Sequence, residues 1–102
     1  MARSAAHLAE AAELLEQLAR EDAASAVDDN GCLYLSVLQG MSQARVGNLL
    51  RYWVTVRSGL VLSAARIEDI RSQLLDSRID ARVSIKIGSS VLRRKRGMAV
   101  IA

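Results

Sequence analysis

The stretch Val83-Ser84-Ile85-Lys86-Ile87-Gly88-Ser89-Ser90-Val91-Leu92-Arg93-Arg94-Lys95-Arg96-Gly97-Met98-Ala99-Val100-Ile101 decides the fold class. Val83, Ile85 and Ile87 alternate with Ser84 and Lys86, the period of a half-buried strand. Gly88-Ser89-Ser90 is a turn signal. Two further strand-like runs follow, Val91–Arg96 and Met98–Ile101, with Gly97 as the turn or bulge between them.

Upstream of Asp76 the period is helical. Leu8, Ala11, Leu15, Leu18 and Asp22 recur at three- and four-residue steps, with Leu14 alongside. They mark one face of a long amphipathic helix, roughly Ser4–Ala26. Glu10, Glu13 and Glu21 take its outer positions, and Glu16 with Arg20 forms an i,i+4 pair. Asp28-Asp29-Asn30-Gly31 reads as a turn, and Cys32–Leu38 has the content of a short strand. Ser42 then caps a second helix whose stripe is Val46, Leu49, Leu50, Trp53 and Val56. Arg51 projects almost opposite the centre of that stripe and Arg45 flanks it. Ser58-Gly59 ends the helix. Ser63 caps a third, with Ile67, Ile70 and Leu74 inward and Arg66, Glu68, Asp69 and Arg71 outward. The expected fold is α+β, about three helices packed on a small, mostly antiparallel sheet.

At 102 residues the chain is one domain. It has no Phe, one Trp and two Tyr, so Leu, Ile, Val and Ala must build the core. The single Cys32 cannot form an internal disulfide and suits a reducing cytoplasm. No run approaches the roughly eighteen apolar residues of a membrane span, and the Ala- and Glu-rich start lacks the basic-then-apolar order of a signal peptide. Helical periodicity begins at once and a strand-like run closes the sequence, so both ends read as cut.

Charge is the clearest functional signal. The net +3 divides into −5 over residues 1–30 and +8 over the remainder. Between Arg78 and Arg96 seven cations face one acid, Asp80. Four are consecutive, Arg93-Arg94-Lys95-Arg96, and cannot all enter a core. They nominate a polyanion as partner. Catalytic patterns are not found. His7 has no Cys or Asp at ligand spacing, so no metal site is expected. Cys32 has no nearby His to activate it. Gly88-Ser89-Ser90 lacks the Lys and following helix of a phosphate loop.

Three stretches together resemble the tRNA(Ile)-lysidine synthetase family. The first is Leu14-Leu15-Glu16-Gln17-Leu18-Ala19-Arg20-Glu21-Asp22. The second is Met41-Ser42-Gln43-Ala44-Arg45-Val46-Gly47-Asn48-Leu49-Leu50-Arg51-Tyr52-Trp53. The third runs from Gln73-Leu74-Leu75-Asp76-Ser77-Arg78-Ile79-Asp80-Ala81, through Gly88, to Leu92-Arg93-Arg94-Lys95-Arg96-Gly97. Lys95 stands where the family commonly has an aromatic, and Ser63 where a Pro is common. The family's Ser-Gly-Gly pyrophosphatase loop is missing and would lie on a separate N-terminal domain.

The resemblance implies that residues 1–102 are the middle, tRNA-recognition domain. Residues 1–28 would be the long helix leaving the catalytic domain, and 32–102 the helix pair and C-terminal strands. It implies a cytoplasmic parent ligase that uses ATP with magnesium to adenylylate the wobble cytidine of a minor isoleucine tRNA. The parent then joins lysine there, changing codon reading from AUG to AUA. No cofactor is expected on this chain. Its partners would be tRNA and the N-terminal catalytic domain of the same chain.

The expected RNA-binding residues are Arg78, Arg82, Arg93, Arg94, Lys95, Arg96, Arg45 and Arg51. Alternation places Arg94 and Arg96 on one face of a strand and Arg93 and Lys95 on the other; Arg94 with Arg96 is the favoured pair. A competing reading is a small α+β protein-interaction module whose acidic first helix docks a partner and whose cations are incidental. A helix-turn-helix is disfavoured by the long Arg57–Leu62 connection and by Glu68 and Asp69 on the third helix.

Overall fold

The structure, a computed structural model, describes residues 2–78 and 81–102. Asp80, the one acid among the seven cations, lies outside the described residues. Four helices and four strands follow the order α1 (Ala2–Ala26), β1 (Leu33–Tyr34), α2 (Leu35–Gln39), α3 (Gln43–Ser58), α4 (Ala64–Leu75), β2 (Ser84–Ile87), β3 (Ser90–Lys95) and β4 (Met98–Ile101). The sheet is antiparallel throughout, in the order β1-β4-β3-β2. The α+β expectation holds, with the short α2 added to the three long helices.

Both anticipated N-caps form. Ser42 Oγ accepts from Arg45 N and Ser63 Oγ from Arg66 N, each at 3.2 Å. Each satisfies a backbone donor that the first helical turn leaves unpaired. The core lies between one face of the sheet and the helices. Leu33, Ile85, Ile87, Leu92, Ala99 and Ile101 come from the strands; Leu49, Leu50, Trp53, Val54, Ile67, Ile70 and Leu74 come from the helices. Trp53 is core, as its place in the stripe implies, and its Nε1 donates to Gly31 O at 2.8 Å. Gly31 has φ +82°, a left-handed conformation that favours glycine in the turn before β1.

Three expectations are corrected. Cys32–Leu38 is not a strand beyond Tyr34. Tyr34 pairs with Met98, the first residue of β4, and Leu35 N donates to Gly97 O in the adjoining turn. Past that point the chain has no strand to pair with. It coils into α2, which buries Leu35 and Leu38 at i,i+3. Val56 is exposed, and Val54 takes the inward place. The stripe on α1 is buried only near its end, at Ala19, Asp22 and Ala26, while Leu8, Leu14 and Leu15 stay exposed. A 25-residue helix is about 37 Å long, whereas the 16 residues of α3 span about 24 Å. The front of α1 therefore outruns its support, and the molecule measures 50 × 27 × 25 Å.

Two polar anchors fix the angle of that projecting helix. Asp22 is 4% exposed and accepts two hydrogen bonds from the Arg45 guanidinium. Asn48, also buried, donates from Nδ2 to Leu15 O at 2.8 Å and accepts from Arg51 Nη2 at 2.6 Å. Replacing Asn48 with Ala removes both bonds. Asn48→Ala is expected to cost about 1–2 kcal/mol in urea denaturation. It should also raise amide hydrogen exchange in the α1 segment around Leu15 more than in β3 and β4.

Candidate nucleic-acid interface

The pleat of β3 sorts its cations. Leu92 is fully buried, so Arg94, two residues on, begins on the core side. Arg93 and Lys95 are exposed on the opposite face. No helix covers that face among the described residues, and the register shows what shares it. Ser84, Arg93 and Val100 form one cross-strand row, and Lys86 stands beside Val91. Tyr34, Met98 and Lys95 form another. The result is an open sheet surface with three cations, Lys86, Arg93 and Lys95, set among Val91, Val100, Met98 and Tyr34. Among the described residues, none of these three cations has a side-chain hydrogen bond or ion pair.

Arg94 is used otherwise. Its Nη1 donates to Leu74 O and Ser77 Oγ, both at 3.1 Å, and its Nη2 to Arg78 O and Ala81 O. Four of its five N–H donors are occupied. One guanidinium thus caps the end of α4 and ties down the loop that carries Arg78 and Arg82. The expected outward pair is split: Arg94 points inward and Arg96 sits in the β3–β4 turn.

Lys95 and Met98 close that hairpin over the two-residue turn Arg96-Gly97, with φ values of 50° and 80°. Positive φ at both central positions is the type I′ pattern, which normally selects Asn-Gly. Arg96 is the only non-glycine with positive φ among the described residues, and its side chain is exposed. Arg78 and Arg82 are exposed in the loop beside it.

The remaining expected residues lie with the helices. Arg45 is paired with Asp22, and its pKa is raised, first by that hydrogen bond and then by the charge of Asp22. Arg51 is exposed but holds Asn48. Arg71 is gripped by Glu68 and Asp76, which raise its pKa, while the same contact lowers that of Glu68. The structure therefore brings together Arg78, Arg82, Arg93, Lys95 and Arg96 around the sheet and its hairpin end, and leaves Arg45 and Arg51 on the α1–α3 side. Lys86 was missed as a site residue. A two-residue Gly88-Ser89 turn pairs Ile87 with Ser90, and counting back from it sets Lys86 on the face of Arg93.

The family model of the TilS substrate binding domain matches residues 33–99. The tRNA(Ile)-lysidine synthase of Ralstonia nicotianae is 40% identical over 101 residues, covering 99% of this chain and 22% of that protein. The chain belongs to the tRNA(Ile)-lysidine synthetase family. The synthase of Salmonella typhi is 33% identical over 94 residues, 92% of this chain and 22% of that protein. That of Enterobacter sp. is 32% identical over 96 residues, 94% of this chain and again 22% of that protein. The chain thus spans about a fifth of the length of the curated relatives it matches, and within the family it is the substrate-binding domain.

Both departures from the family pattern have a place in the structure. Ser63 starts α4 by capping it, and Lys95 adds a cation to the Tyr34–Met98 row. Gly88-Ser89-Ser90, the one loop with a superficial likeness to a phosphate cradle, is the β2–β3 hairpin and leads into a strand. It offers no helix N-terminus to the phosphates of ATP, so no step through ATP is assigned to it. No helix among the described residues is long and apolar enough to cross a membrane.

Neighbouring arginines should respond in opposite ways. Arg94→Ala strands its carbonyl and hydroxyl acceptors, and should cost about 1.5–3 kcal/mol in chemical denaturation. Arg93→Ala should stay within about 0.5 kcal/mol of the parent. Arg96→Asn is expected to stabilise by about 0.5–1 kcal/mol in the same assay, because Asn tolerates the left-handed turn position better.

Proposed function

We propose that this chain is the tRNA-binding domain of a cytoplasmic ligase that uses ATP to join lysine to the wobble cytidine of a minor isoleucine tRNA. The chain positions the tRNA, and the nucleotide chemistry belongs to a catalytic domain elsewhere in the parent. One observation carries the RNA-contact assignment: the open face of the sheet, where Lys86, Arg93 and Lys95 stand together without counter-ions among the described residues. Cations so placed take phosphates at little cost, because no existing ion pair must be broken. Each phosphate neutralised also releases condensed counterions, which is the main source of RNA affinity.

In this reading Arg78, Arg82 and Arg96 extend the basic surface around the hairpin end. Arg94 serves indirectly, by holding the loop that presents Arg78 and Arg82. Arg45 and Arg51 act on α1, whose projecting front carries exposed Leu8 and whose Leu15 lines a groove with Val56 and Val61, the last 80% exposed. That apolar strip favours a second role as a contact for another domain, and the catalytic domain of the same parent is the proposed occupant. The interaction-module reading then describes one side of the molecule rather than the whole of it.

The test is tRNA binding by the full-length parent enzyme at several salt concentrations. Arg93→Ala with Lys95→Ala should weaken binding. The pair should also reduce the magnitude of the log-affinity versus log-salt slope by about 1.4–1.8, at 0.7–0.9 per phosphate contact. Circular dichroism should show an unchanged melting transition. Unchanged affinity and slope would remove the open face from the interface.

A further inference from the structure

We propose that the open face of the sheet takes a single-stranded segment of RNA, its phosphates along β3 and its bases turned over β4 onto Tyr34. The proposal rests on the RNA-binding reading above and narrows it from RNA in general to an unpaired stretch.

The face is sorted strand by strand. Leu33, Ile85, Leu92, Ala99 and Ile101 are buried against the helices, so the residues that alternate with them stand on the other face. In the order β1-β4-β3-β2, the first two strands present Tyr34, then Met98 and Val100. The next two present Lys95 and Arg93, then Lys86. Val91, beside Lys86, is the apolar exception in this cationic half. Neighbouring strands lie about 4.8 Å apart, so a line of cations and a line of apolar groups run side by side. Cross-strand rows join the two lines. Lys95 stands opposite Met98 and Met98 opposite Tyr34, while Arg93 stands opposite Val100.

One strand of nucleic acid has the same layout. It carries charge along one edge and flat bases along the other. Arg93 and Lys95 stand about 6.8 Å apart along β3, so a short segment engages both. In a duplex the bases are paired and stacked inside, and what reaches a protein surface is phosphate and sugar. A duplex would use the cationic half and leave Tyr34, Met98 and Val100 idle. An unpaired segment uses both halves.

Tyr34 is the residue that selects bases. It is 39% exposed on the edge strand, with half-buried Met98 next to it. An open aromatic ring on a sheet is a stacking platform, and it tolerates any sequence because every base has a π-face. The Met98 thioether is polarizable and adaptable, which extends the platform toward β3. Phosphates on Arg93 and Lys95 then hold the backbone two strands away from the ring, the side from which a base can reach across β4.

The test uses the full-length parent enzyme and RNA carrying thiouridine, which bonds under near-ultraviolet light to the side chain it lies against. The probes are a short oligouridylate with one thiouridine and a fully paired duplex with the same base inside a pair. Mass spectrometry of the digested protein locates the adduct. The oligouridylate should mark Tyr34 or Met98, and the duplex neither.

Binding of both probes is also followed by fluorescence anisotropy. Tyr34→Leu should weaken oligouridylate binding roughly 5- to 100-fold with no change in salt slope. It should leave duplex binding within about twofold, and Tyr34→Phe should restore the oligouridylate to within about twofold of the parent. Arg93→Ala with Lys95→Ala should weaken both probes and lower the slope for the oligouridylate by about 1.4, at 0.7 per contact with a single strand. Circular dichroism reports whether each variant is folded, and the crosslink is read on the unaltered enzyme. Equal marking of Tyr34 and Met98 by both probes, or Tyr34→Leu binding the oligouridylate like the parent, would overturn the single-strand assignment. The RNA reading would stand if the double variant still weakened the duplex. Absence of any adduct at Tyr34 and Met98, as when another domain covers the face, would also overturn the proposal. Unchanged binding of both probes by the double variant would overturn the RNA reading of this face itself.

Discussion

A β-strand has two faces, and β3 uses them for opposite ends. Its pleat sends Leu92 and Arg94 toward the helices and Arg93 and Lys95 away from them. Four consecutive cations would repel one another on a single surface. Divided in this way, one becomes a fastener, two become an open surface, and the fourth turns the corner. The antiparallel register then fills out each side. Across from Arg94 stands buried Ala99, small enough to leave room for a guanidinium, and across from Lys95 stands Met98.

Arg94 shows how a polar contact can organise a small fold without entering a dry core. Its acceptors come from the end of α4, from Ser77 and from the loop before β2, three places that apolar packing alone would leave loosely joined. Carbonyls at a helix C-terminus carry partial negative charge, so a cation there is favoured twice, by hydrogen bonds and by the helix dipole. The α1–α3 side relies on the same device. Asp22 is buried and would be costly there without Arg45, and Asn48 bridges to a carbonyl midway along α1. A helix that runs past its support needs such directional anchors, because the hydrophobic effect fixes how much surface is buried but not the angle of burial.

Much of this was legible in the residues. The change of period near Asp76 separates helices from sheet, the caps Ser42 and Ser63 fix two helix starts, and the resemblance places the domain in its family. Two of the misses share a cause: they depend on where another element stops. Cys32–Leu38 has strand composition, yet β1 ends when β4 offers no further partner. Leu8 and Leu15 follow the same stripe as Ala19 and Ala26, and periodicity cannot say that α3 is shorter than α1. The split of Arg94 from Arg96 was visible as a choice of faces. Which face was open was not, because Leu92 and Val91 are both apolar and only the fold shows that Leu92 meets the helices.

Arg96 brings these arguments to one residue. A tight turn of this kind favours Asn before Gly, and an Arg at φ 50° carries a backbone cost of about 1–2 kcal/mol. Stability alone would not choose it. A strained residue points to function when what it presents could not be presented otherwise. Here the turn is the one place on the hairpin where a side chain belongs to neither face. Lys95 before it is bound to the sheet surface, and Arg94 before that to the loop. A cation at the tip can therefore serve the open face on one side and, on the other, the groove that it lines with Arg82 and the end of α4. The strain buys a position that the pleat denies to every other residue of the strand.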